Sequence, residues 1–297
     1  MKIAYRTKNG IFYKGTIENA LKSKKIVKYK GGIGLIFTSP PFPLNRKKKY
    51  GNLQGEEYIE WIKSLAKPLG ELLTDDGSIV IEVGNSWEPG IPAMSTLALK
   101  SLLAFQEEGG FYLCQQFIWN NTAKLPSPAQ WVNVERNRVK DSFTYIWWMS
   151  KTPFPKADNR KVLVEYSDSM KKLLKTGKYN HGTRPSEHSI GETSFLTDNK
   201  GAIPSSVISS ANTQSNTSYQ QYCKANELEP HPARMPENIV EFFIKFLTDE
   251  GDMVLDPFGG SNTTGSTAEK LGRKWLAIEP NENYIEGSKG RFLIDLV

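Results

Sequence analysis

The chain has 297 residues, a formal net charge of +6 and a sequence pI near 9.0. Its length allows one large α/β domain with an inserted module, or two smaller domains, and we favour the first arrangement. The positive charge is compatible with a polyanionic partner but does not bear on the fold. The two cysteines, Cys114 and Cys223, lie far apart and outside any CxxC pattern, so we expect neither a disulfide framework nor a metal site.

The sequence has no membrane or export signal. The amino-terminal stretch MKIAYRTKNG lacks the apolar core of a signal peptide, and no apolar run approaches the roughly 20 residues of a membrane helix. We therefore expect a soluble, cytoplasmic protein without a membrane partner.

The first strong structural signal is the apolar run over residues 33–40, IGLIFTSP, which is ended by Pro40 and Pro41. Such a run is typical of a strand buried on both faces of a parallel sheet. Its carboxyl end carries the motif TSPPF, Thr38 to Phe42. A small acceptor side chain, two prolines and an aromatic ring in succession suit a pocket for a planar amine.

Strand and helix patterns alternate after this motif. Residues 56–73 and 92–109 predict helices, and residues 77–84 and 111–119 predict strands. This alternation implies a doubly wound, mostly parallel, Rossmann-like α/β sheet with helices on both faces. Residues 142–150 predict a further strand, which could pair antiparallel with the strand before it.

The middle of the chain has a different composition. From Lys151 to Glu229 the periodicity fades and the sequence becomes rich in Ser, Asn, Thr and Lys. Scattered Tyr, Phe and Ile argue for an inserted module, and a flexible surface excursion is the alternative. We therefore divide the chain into one half of the main domain over residues 1–150, the inserted region over 151–229, and the other half over 230–297.

Helix and strand signals return in the last region. An amphipathic helix opens at Pro236 and Glu237, and a strand, a glycine turn and a second helix follow through VLDPFGG, Val254 to Gly260. The last strand, in RKWLAIEPNENY, ends at Glu279. Ligands of doubly wound sheets bind beyond the carboxyl ends of the strands, which predicts a site built from Asp256, Phe258, Gly259, Gly260 and Glu279.

The spacing of this second motif favours a nucleoside. An acidic residue roughly twenty positions past a glycine turn can accept hydrogen bonds from ribose hydroxyls, the role predicted for Glu279. The turn is not GxGxxG, since an aromatic residue stands where pyrophosphate-binding loops place glycine, which makes a dinucleotide the weaker choice. A tight turn in which Glu279 only caps the next element is the alternative without function.

TSPPF has the chemistry to activate an exocyclic amine of a nucleobase, whose lone pair is delocalised into the ring. Hydrogen-bond acceptors around the amino group favour a pyramidal nitrogen, and the proposed acceptors are Ser39 Oγ and the Pro40 carbonyl. Pro40 and Pro41 together stiffen the loop, and Phe42 offers a face for stacking. A base inside a duplex must leave the helix to reach such a pocket. A Pro-Pro turn without function is the alternative.

Two further sets of residues are candidates for this pocket. Glu82, near the end of GSIVIEVG, could orient the amine or receive its proton if its strand neighbours that of TSPPF; an acidic residue on a sheet edge is the alternative. A basic run follows TSPPF at once, and it could contact phosphates near the mouth of the pocket or be a solvated face. This run is Arg46, Lys47, Lys48 and Lys49.

Taken as a whole, the chain resembles the cytosine-N4 DNA methyltransferases of type II restriction-modification systems, in the permuted class where the catalytic tetrad precedes the cofactor turn. The blocks RKKKYGNL, KLPSPAQWVN, HPARMPE, FGGSNTTG and RKWLAIE carry the resemblance. It implies S-adenosylmethionine as the cofactor, double-stranded DNA as the substrate and a functionally paired restriction endonuclease. It also implies target recognition by residues 151–229.

The resemblance assigns individual residues as well. Catalytic roles fall to Ser39, Pro40, Pro41, Phe42 and Glu82. Cofactor contacts fall to Asp256, Phe258, Gly259, Gly260, Ser261, Thr263 and Glu279, and to the HPAR segment His231, Pro232, Ala233 and Arg234.

Two positions depart from the family pattern. Thr16 stands in YKGTIE where related enzymes often carry an Asp that holds the adenine of the cofactor, and Glu82 stands where Asp is common.

The expected reaction is direct attack of the cytosine amine on the sulfonium methyl carbon, without a covalent enzyme intermediate. The alternatives are adenine-N6 methylation and a catalytically silent DNA-binding protein of the same fold.

Overall fold

The computed structural model describes residues 1–42, 53–213 and 217–292. The chain divides into two compact units, of which the larger comprises Met1–Ala157 and Ser206–Val297, and the smaller comprises Asp158–Ser205. The smaller unit lies within the region 151–229 that the sequence sets apart, while residues 206–229 belong to the larger unit.

Strands and helices alternate along most of the described chain. The strands are β1 (Lys2–Arg6), β2 (Gly10–Lys14), β3 (Ile33–Thr38), β4 (Leu73–Gly84), β5 (Tyr112–Asn120), β6 (Phe143–Ser150), β7 (Gly182–Thr183), β8 (Ser189–Ile190), β9 (Val207–Ser209), β10 (Met253–Asp256) and β11 (Lys274–Glu279). The α-helices are α1 (Ile17–Leu21), α2 (Lys24–Val27), α3 (Gly55–Leu72), α4 (Leu97–Gly109), α5 (Asp168–Thr176), α6 (Ser218–Ala225), α7 (Glu237–Leu247), α8 (Thr263–Lys270) and α9 (Glu282–Ser288).

Nine strands of the larger unit form one sheet in the order β1-β2-β11-β10-β3-β4-β6-β5-β9. Strands β2, β11, β10, β3 and β4 run parallel to one another. Strand β6 is antiparallel to both β4 and β5, and β1 is antiparallel to β2. The doubly wound, mostly parallel α/β fold that the sequence predicts is therefore confirmed, as is the antiparallel pairing of β5 with β6.

Two hydrophobic layers cover the sheet. Side chains alternate along each central strand, so that Ile36 packs in one layer while Leu35 and Phe37 pack in the other. Helices α1 to α4 complete the first layer and helices α7 to α9 the second. Because the central strands are buried on both faces, they appear in the sequence as continuous apolar runs.

The order of the strands creates a switch point between β10 and β3. From β10 the chain passes through α8 to β11, whereas from β3 it passes through α3 to β4 on the other side. These two crossovers lie on opposite faces of the sheet. In α/β proteins a crevice forms at such a point, beyond the carboxyl ends of the strands.

The smaller unit has little core of its own. It contains helix α5, the antiparallel pair β7–β8 and an isolated bridge between Val164 and Ala202. Among its described residues, Val162 is the one large hydrophobic residue that is buried, and it keeps 9% of its surface exposed. So small a core contributes little stability to the unit by itself.

Two differences from the sequence-based elements concern the start of the chain and the start of α4. The edge strand β1 and its neighbour β2 are absent from the prediction because each has an apolar run of only three residues, Ile3 to Tyr5 and Ile11 to Tyr13. Helix α4 begins at Leu97, whereas the sequence pattern places its start near Pro92. No helix among the described residues is both long and apolar enough to span a membrane.

Candidate active site

A cavity of about 300 Å³ opens at the carboxyl edge of the parallel strands. TSPPF follows β3 and VLDPFGG ends β10, and because these strands are neighbours, the two motifs meet there. Ser39 and Phe42 from the first motif and Asp256 and Gly260 from the second all line the cavity. The structure thus brings together two segments that are more than 200 positions apart in the sequence.

Ser39 and Glu82 form a short hydrogen bond across neighbouring strands. Strand β4 lies beside β3, and Thr38 pairs with Ile81 in the register, which brings the next residues of both strands together. The Ser39 hydroxyl donates its proton to Glu82 Oε2 at 2.5 Å. Because that proton is committed to Glu82, the lone pairs of the Ser39 oxygen remain available to a donor in the cavity.

Glu82 is fully buried although it carries a carboxyl group. Its second oxygen, Oε1, has no hydrogen-bond partner among the described residues. Burial raises the pKa of Glu82 to about 7, and the hydroxyls of Ser39 and Thr144 and the charge of Lys124 partly oppose this rise. A buried carboxyl that titrates near neutrality beside a cavity has the properties of an acid or base in catalysis.

Asp256 fixes the geometry of the switch point. Its Oδ1 accepts hydrogen bonds from the Thr38 hydroxyl at 2.8 Å and the Phe258 N–H at 3.0 Å, and its Oδ2 accepts one from the Thr264 hydroxyl at 2.8 Å. Burial raises the pKa of Asp256, and these three bonds oppose the rise. The bonds connect β10 with β3 and with the first turn of α8, so Asp256 holds the two motifs in register.

Glu279 and Gly260 shape the opposite part of the cavity wall. Glu279 Oε2 accepts from the Gly260 N–H and Oε1 accepts from the Asn281 N–H, both at 2.9 Å. Each carboxylate oxygen keeps a lone pair for another donor. Gly260 has a φ of +49°, and a Cβ at this residue would lie 3.1 Å from His231 Nε2, so glycine meets both a conformational and a steric requirement.

His231 lines the cavity as a neutral group. Its Nδ1 accepts a hydrogen bond from the Ala233 N–H at 3.3 Å, and its ring meets that of Tyr284 with centroids 4.4 Å apart. Burial lowers the pKa of His231 to about 4, so the imidazole carries no charge at neutral pH. The neighbouring Arg234 therefore supplies the positive charge of this segment, and its guanidinium donates to the His231 carbonyl at 3.0 Å.

Each motif presents one aromatic ring to the cavity. The Phe258 ring packs edge-on against Trp61, with centroids 5.6 Å apart. The Phe42 ring lies on the backbone of Gly84, where an added Cβ would come within 2.4 Å of a ring carbon. The cavity therefore has two apolar faces on which planar groups could stack.

Comparison with known proteins places these features in a family. Residues 33–290 match the protein family described as DNA methylase. The chain belongs to this DNA methylase family. The type II methyltransferase M.PvuII of Proteus hauseri is 45% identical over 98% of this chain and 86% of its own length. M.ScaI of Streptomyces caespitosus is 27% identical over 97% of this chain and 82% of its own.

Two solved structures have a similar architecture. The structure described as PvuII DNA methyltransferase (cytosine-N4-specific) superposes with a TM-score of 0.78 at 39% identity, over 98% of this chain and 89% of that one. TTHA0409 from Thermus thermophilus, solved in complex with S-adenosyl-L-methionine, has a TM-score of 0.56 over 95% of this chain and 94% of that one. At 17% identity, that likeness concerns the fold alone.

Most of the predicted site residues of this DNA methylase lie around this cavity. Glu82 does not line it but binds Ser39, and Pro232 is the one predicted cofactor contact outside the lining. The predicted phosphate contacts Arg46, Lys47, Lys48 and Lys49 lie outside the described residues. The residues that do line the cavity are Ser39, Pro40, Pro41, Phe42, His231, Ala233, Arg234, Asp256, Phe258, Gly259, Gly260, Ser261, Thr263 and Glu279.

The cavity also contains Ile17 and Glu18, which sequence reasoning missed. Ile17 and Glu18 open α1, which two residues separate from the end of β2, and they are preceded in the lining by Thr16, the position that matches the adenine-holding Asp of related enzymes. Glu18 accepts a hydrogen bond from Trp61 Nε1 at 2.7 Å, which links this segment to the aromatic pair of Trp61 and Phe258. Recognising β2 as a strand with its carboxyl end beside that of β11 would have pointed to them. No group of three or more potential metal ligands occurs among the residues that the structure describes.

Proposed function

We propose that this DNA methylase transfers a methyl group from S-adenosylmethionine to N4 of a cytosine in duplex DNA. The observation that carries the proposal is the single cavity of about 300 Å³ shared by Ser39–Phe42 and Asp256–Gly260. The hydrogen-bond acceptors and prolines of the first segment suit the binding of an amine. The glycine turn of the second segment, with Glu279 at the end of the neighbouring strand, suits the binding of a nucleoside. The 45% identity with M.PvuII and the 39% identity with the cytosine-N4-specific structure favour cytosine N4.

The residues on the β10 and β11 side of the cavity fit S-adenosylmethionine. The Glu279 carboxylate has lone pairs for ribose hydroxyls, the Phe258 ring offers a face for adenine, and the Arg234 guanidinium suits the carboxylate of the methionine moiety. The cavity volume is at the lower end of the range for small-molecule sites. We assign the remaining predicted contacts to the same ligand: Asp256, Gly259, Gly260, Ser261, Thr263, His231 and Ala233.

Ser39 and Pro40 prepare the amine for attack. When bound, S-adenosylmethionine supplies a methyl carbon made electrophilic by the adjacent sulfonium. The Ser39 oxygen and the Pro40 carbonyl accept hydrogen bonds from the cytosine amino group, which localises the nitrogen lone pair and stabilises the positive charge that develops on N4. Ser39 can act as an acceptor because it donates its own proton to Glu82.

Glu82 is the final acceptor of the proton that the reaction releases. N4 must lose a proton as its bond to the methyl carbon forms and the carbon–sulfur bond breaks. The amine proton passes to the Ser39 oxygen while the Ser39 proton passes to Glu82 Oε2, and no covalent bond to the enzyme is formed. A pKa near 7 lets Glu82 both take up this proton and return it to solvent near neutral pH.

The DNA must adapt to this cavity. A base inside the double helix cannot present its amine to a cavity at the end of a sheet, so the target cytosine must leave the base stack. We propose that the predicted target-recognition region, 151–229, reads the surrounding bases and that methylation protects host DNA from a paired restriction endonuclease. The enzyme would then act in the cytoplasm, where that DNA is.

Analysis of the modified DNA tests the base assignment. Plasmid DNA is incubated with the protein and S-adenosylmethionine, digested to nucleosides and analysed by mass spectrometry. We expect N4-methylcytosine, formed about 10²–10³-fold more slowly by the Ser39→Ala variant. Absence of any methylated nucleoside, on DNA rich in different short sequences, would contradict methyl transfer.

Adenine-N6 methylation is the second candidate. One observation favours it: DNA adenine methyltransferase YhdJ of Escherichia coli is 46% identical to this chain, although over only 61 residues. The chemistry at an adenine amine would use the same acceptors. Detection of N6-methyladenine instead of N4-methylcytosine in the digested DNA would decide for this alternative.

A further inference from the structure

A long exposed segment joins β5 to β6 at the same edge of the sheet as the cavity. This rim segment, residues 121–142, begins after Asn120, which pairs with Phe143, and ends where Thr144 pairs with Gly84 of β4. Antiparallel strands need only a short turn, and connections beyond about 12–15 residues in a compact domain are uncommon and usually either functional or linkers. The proposed function gives this segment no role.

The base of the rim segment is firmly anchored. The buried Asp141 accepts a hydrogen bond from Asn85 Nδ2 at 2.9 Å and pairs with Lys124 Nζ at 3.5 Å. The Asp141 N–H also donates to the Ser127 carbonyl at 3.0 Å. Because Asn85 directly follows β4, these contacts fix the segment beside the strand that carries Glu82.

The tip of the rim segment, residues 130–140, is ordered by its own backbone. The Glu135 N–H donates to the Gln130 carbonyl at 2.8 Å, and the Asn137 N–H donates to the Trp131 carbonyl at 3.0 Å. Arg138 Nε donates to the Pro92 carbonyl at 3.0 Å, which connects the tip to the loop after β4. The tip is therefore a shaped surface that projects from the sheet edge.

The surface of the tip is both basic and apolar. Every residue from 133 to 140 is exposed, including Arg136, Arg138 and Lys140, and one carboxylate, Glu135, stands among them. Large apolar side chains of the segment are exposed as well, at 80% for Leu125 and 86% for Val139. A merely solvated charged face does not require exposed apolar side chains of this size.

We propose that the rim segment is a DNA-contacting surface that holds the duplex next to the extruded nucleotide. The inference rests on the proposed function, since it takes duplex DNA as the partner and the shared cavity as the place of the reaction. The cations complement phosphates on either side of the target, and the apolar side chains fit the sugars and base faces that extrusion uncovers. In this proposal, recognition of the DNA sequence belongs to the target-recognition region and not to the rim segment.

A charge-removal experiment tests this surface. The rim variant carries Arg136→Gln and Lys140→Gln, and the control carries Lys24→Gln and Lys28→Gln. The control residues are also exposed, and they precede the amino-terminal end of β3, away from the cavity edge. Both variants lose two positive charges. Affinity for a duplex is measured over a series of salt concentrations, together with KM for DNA and kcat.

We expect the rim variant alone to bind DNA more weakly. Each lost phosphate contact lowers the slope of log affinity against log salt by about 0.9, so the slope falls by about 2, and KM for DNA rises roughly tenfold. The melting temperature, the affinity for S-adenosylmethionine and kcat at saturating DNA stay as in the wild type. A rim variant that behaves like the control in slope and KM overturns the inference.

Amide hydrogen exchange on the wild-type protein provides a test that needs no variant. Added duplex slows exchange over residues 133–140 and leaves residues 22–30 unchanged if the inference holds. Equal exchange with and without DNA at 133–140 overturns it. A wild-type protein that methylates no DNA would contradict the proposed function. In that case the salt dependence of DNA binding and the amide exchange would still test whether the rim segment contacts DNA.

Discussion

At the scale of single residues, Ser39 is the group that the reaction depends on most directly. The Ser39→Ala variant removes the acceptor for the amine and the first step of the proton path. Loss of one preorganised polar group in an active site typically lowers kcat by about 10²–10³-fold. We expect a decrease of this size in single-turnover methylation, while calorimetric titration gives an unchanged affinity for S-adenosylmethionine. Wild-type turnover in this variant would remove Ser39 from the mechanism.

Glu82 makes the reaction dependent on pH. Its pKa of about 7 means that only about a tenth of the protein has an ionised Glu82 at pH 6. A protonated Glu82 cannot accept from Ser39, whose hydroxyl then competes as a donor toward the amine. We therefore expect the single-turnover rate to rise tenfold per pH unit below 7 and to level off above it. Glu82→Gln should be slow at every pH, and a pH profile that this variant shares with the wild type would contradict the assignment.

The pH dependence of protein stability tests the raised pKa of Glu82 independently of the reaction. The folded-state pKa of about 7 exceeds the ordinary value of 4.5, so between these values the folded protein binds more protons than the unfolded chain. Glu82 therefore lowers the free energy of unfolding as pH rises from about 4.5 to 7. The Glu82→Gln variant should lack this pH-dependent loss of stability. We therefore expect the melting temperature of the variant to rise relative to that of the wild type as the pH increases toward 7.

At the scale of elements, the turn after β10 depends on Gly260. Alanine at a φ of +49° costs about 1–2 kcal/mol, and its Cβ would crowd His231 Nε2. Since the same residue donates to Glu279, we expect Gly260→Ala to unfold at lower denaturant and to bind S-adenosylmethionine more weakly. Gly31→Ala is a matched control, with a φ of +68° and no atom within 4 Å of the new Cβ.

The Gly31→Ala control separates the effect of backbone strain on stability from an effect on the cofactor site. Gly31→Ala should lose a similar amount of stability from backbone strain and keep the wild-type affinity for the cofactor. If both variants bind the cofactor equally well, the turn at Gly260 takes no part in binding.

The elements also explain what could be read from the sequence. The runs IGLIF and MVLD predict strands because both faces of those strands are buried, and each run ends in residues that cannot continue it. Strand β2 has an apolar run of only three residues, Ile11 to Tyr13, so Ile17 and Glu18 were not placed at the cavity. The bond between Ser39 and Glu82 depends on the pairing of β3 with β4, which local patterns do not encode.

At the scale of the whole molecule, the two compact units should respond to different ligands. The predicted cofactor contacts all belong to the larger unit, and none lies in Asp158–Ser205. S-adenosylmethionine at 100 times its Kd stabilises the folded state by about 2.7 kcal/mol if it binds only there. We therefore expect the cofactor to slow amide exchange at residues 256–264 and 279–281 and to leave residues 158–205 unchanged.

Addition of duplex DNA should then extend the protection to residues 158–205, because target recognition is proposed for the region that contains them. The smaller unit has little core, so its amides exchange readily before DNA binds, and a contact with DNA gives a large signal. A duplex without the recognised sequence should protect this unit less than a cognate duplex does. Equal protection by both duplexes would assign the unit to general DNA binding, and no protection by either would exclude it from recognition.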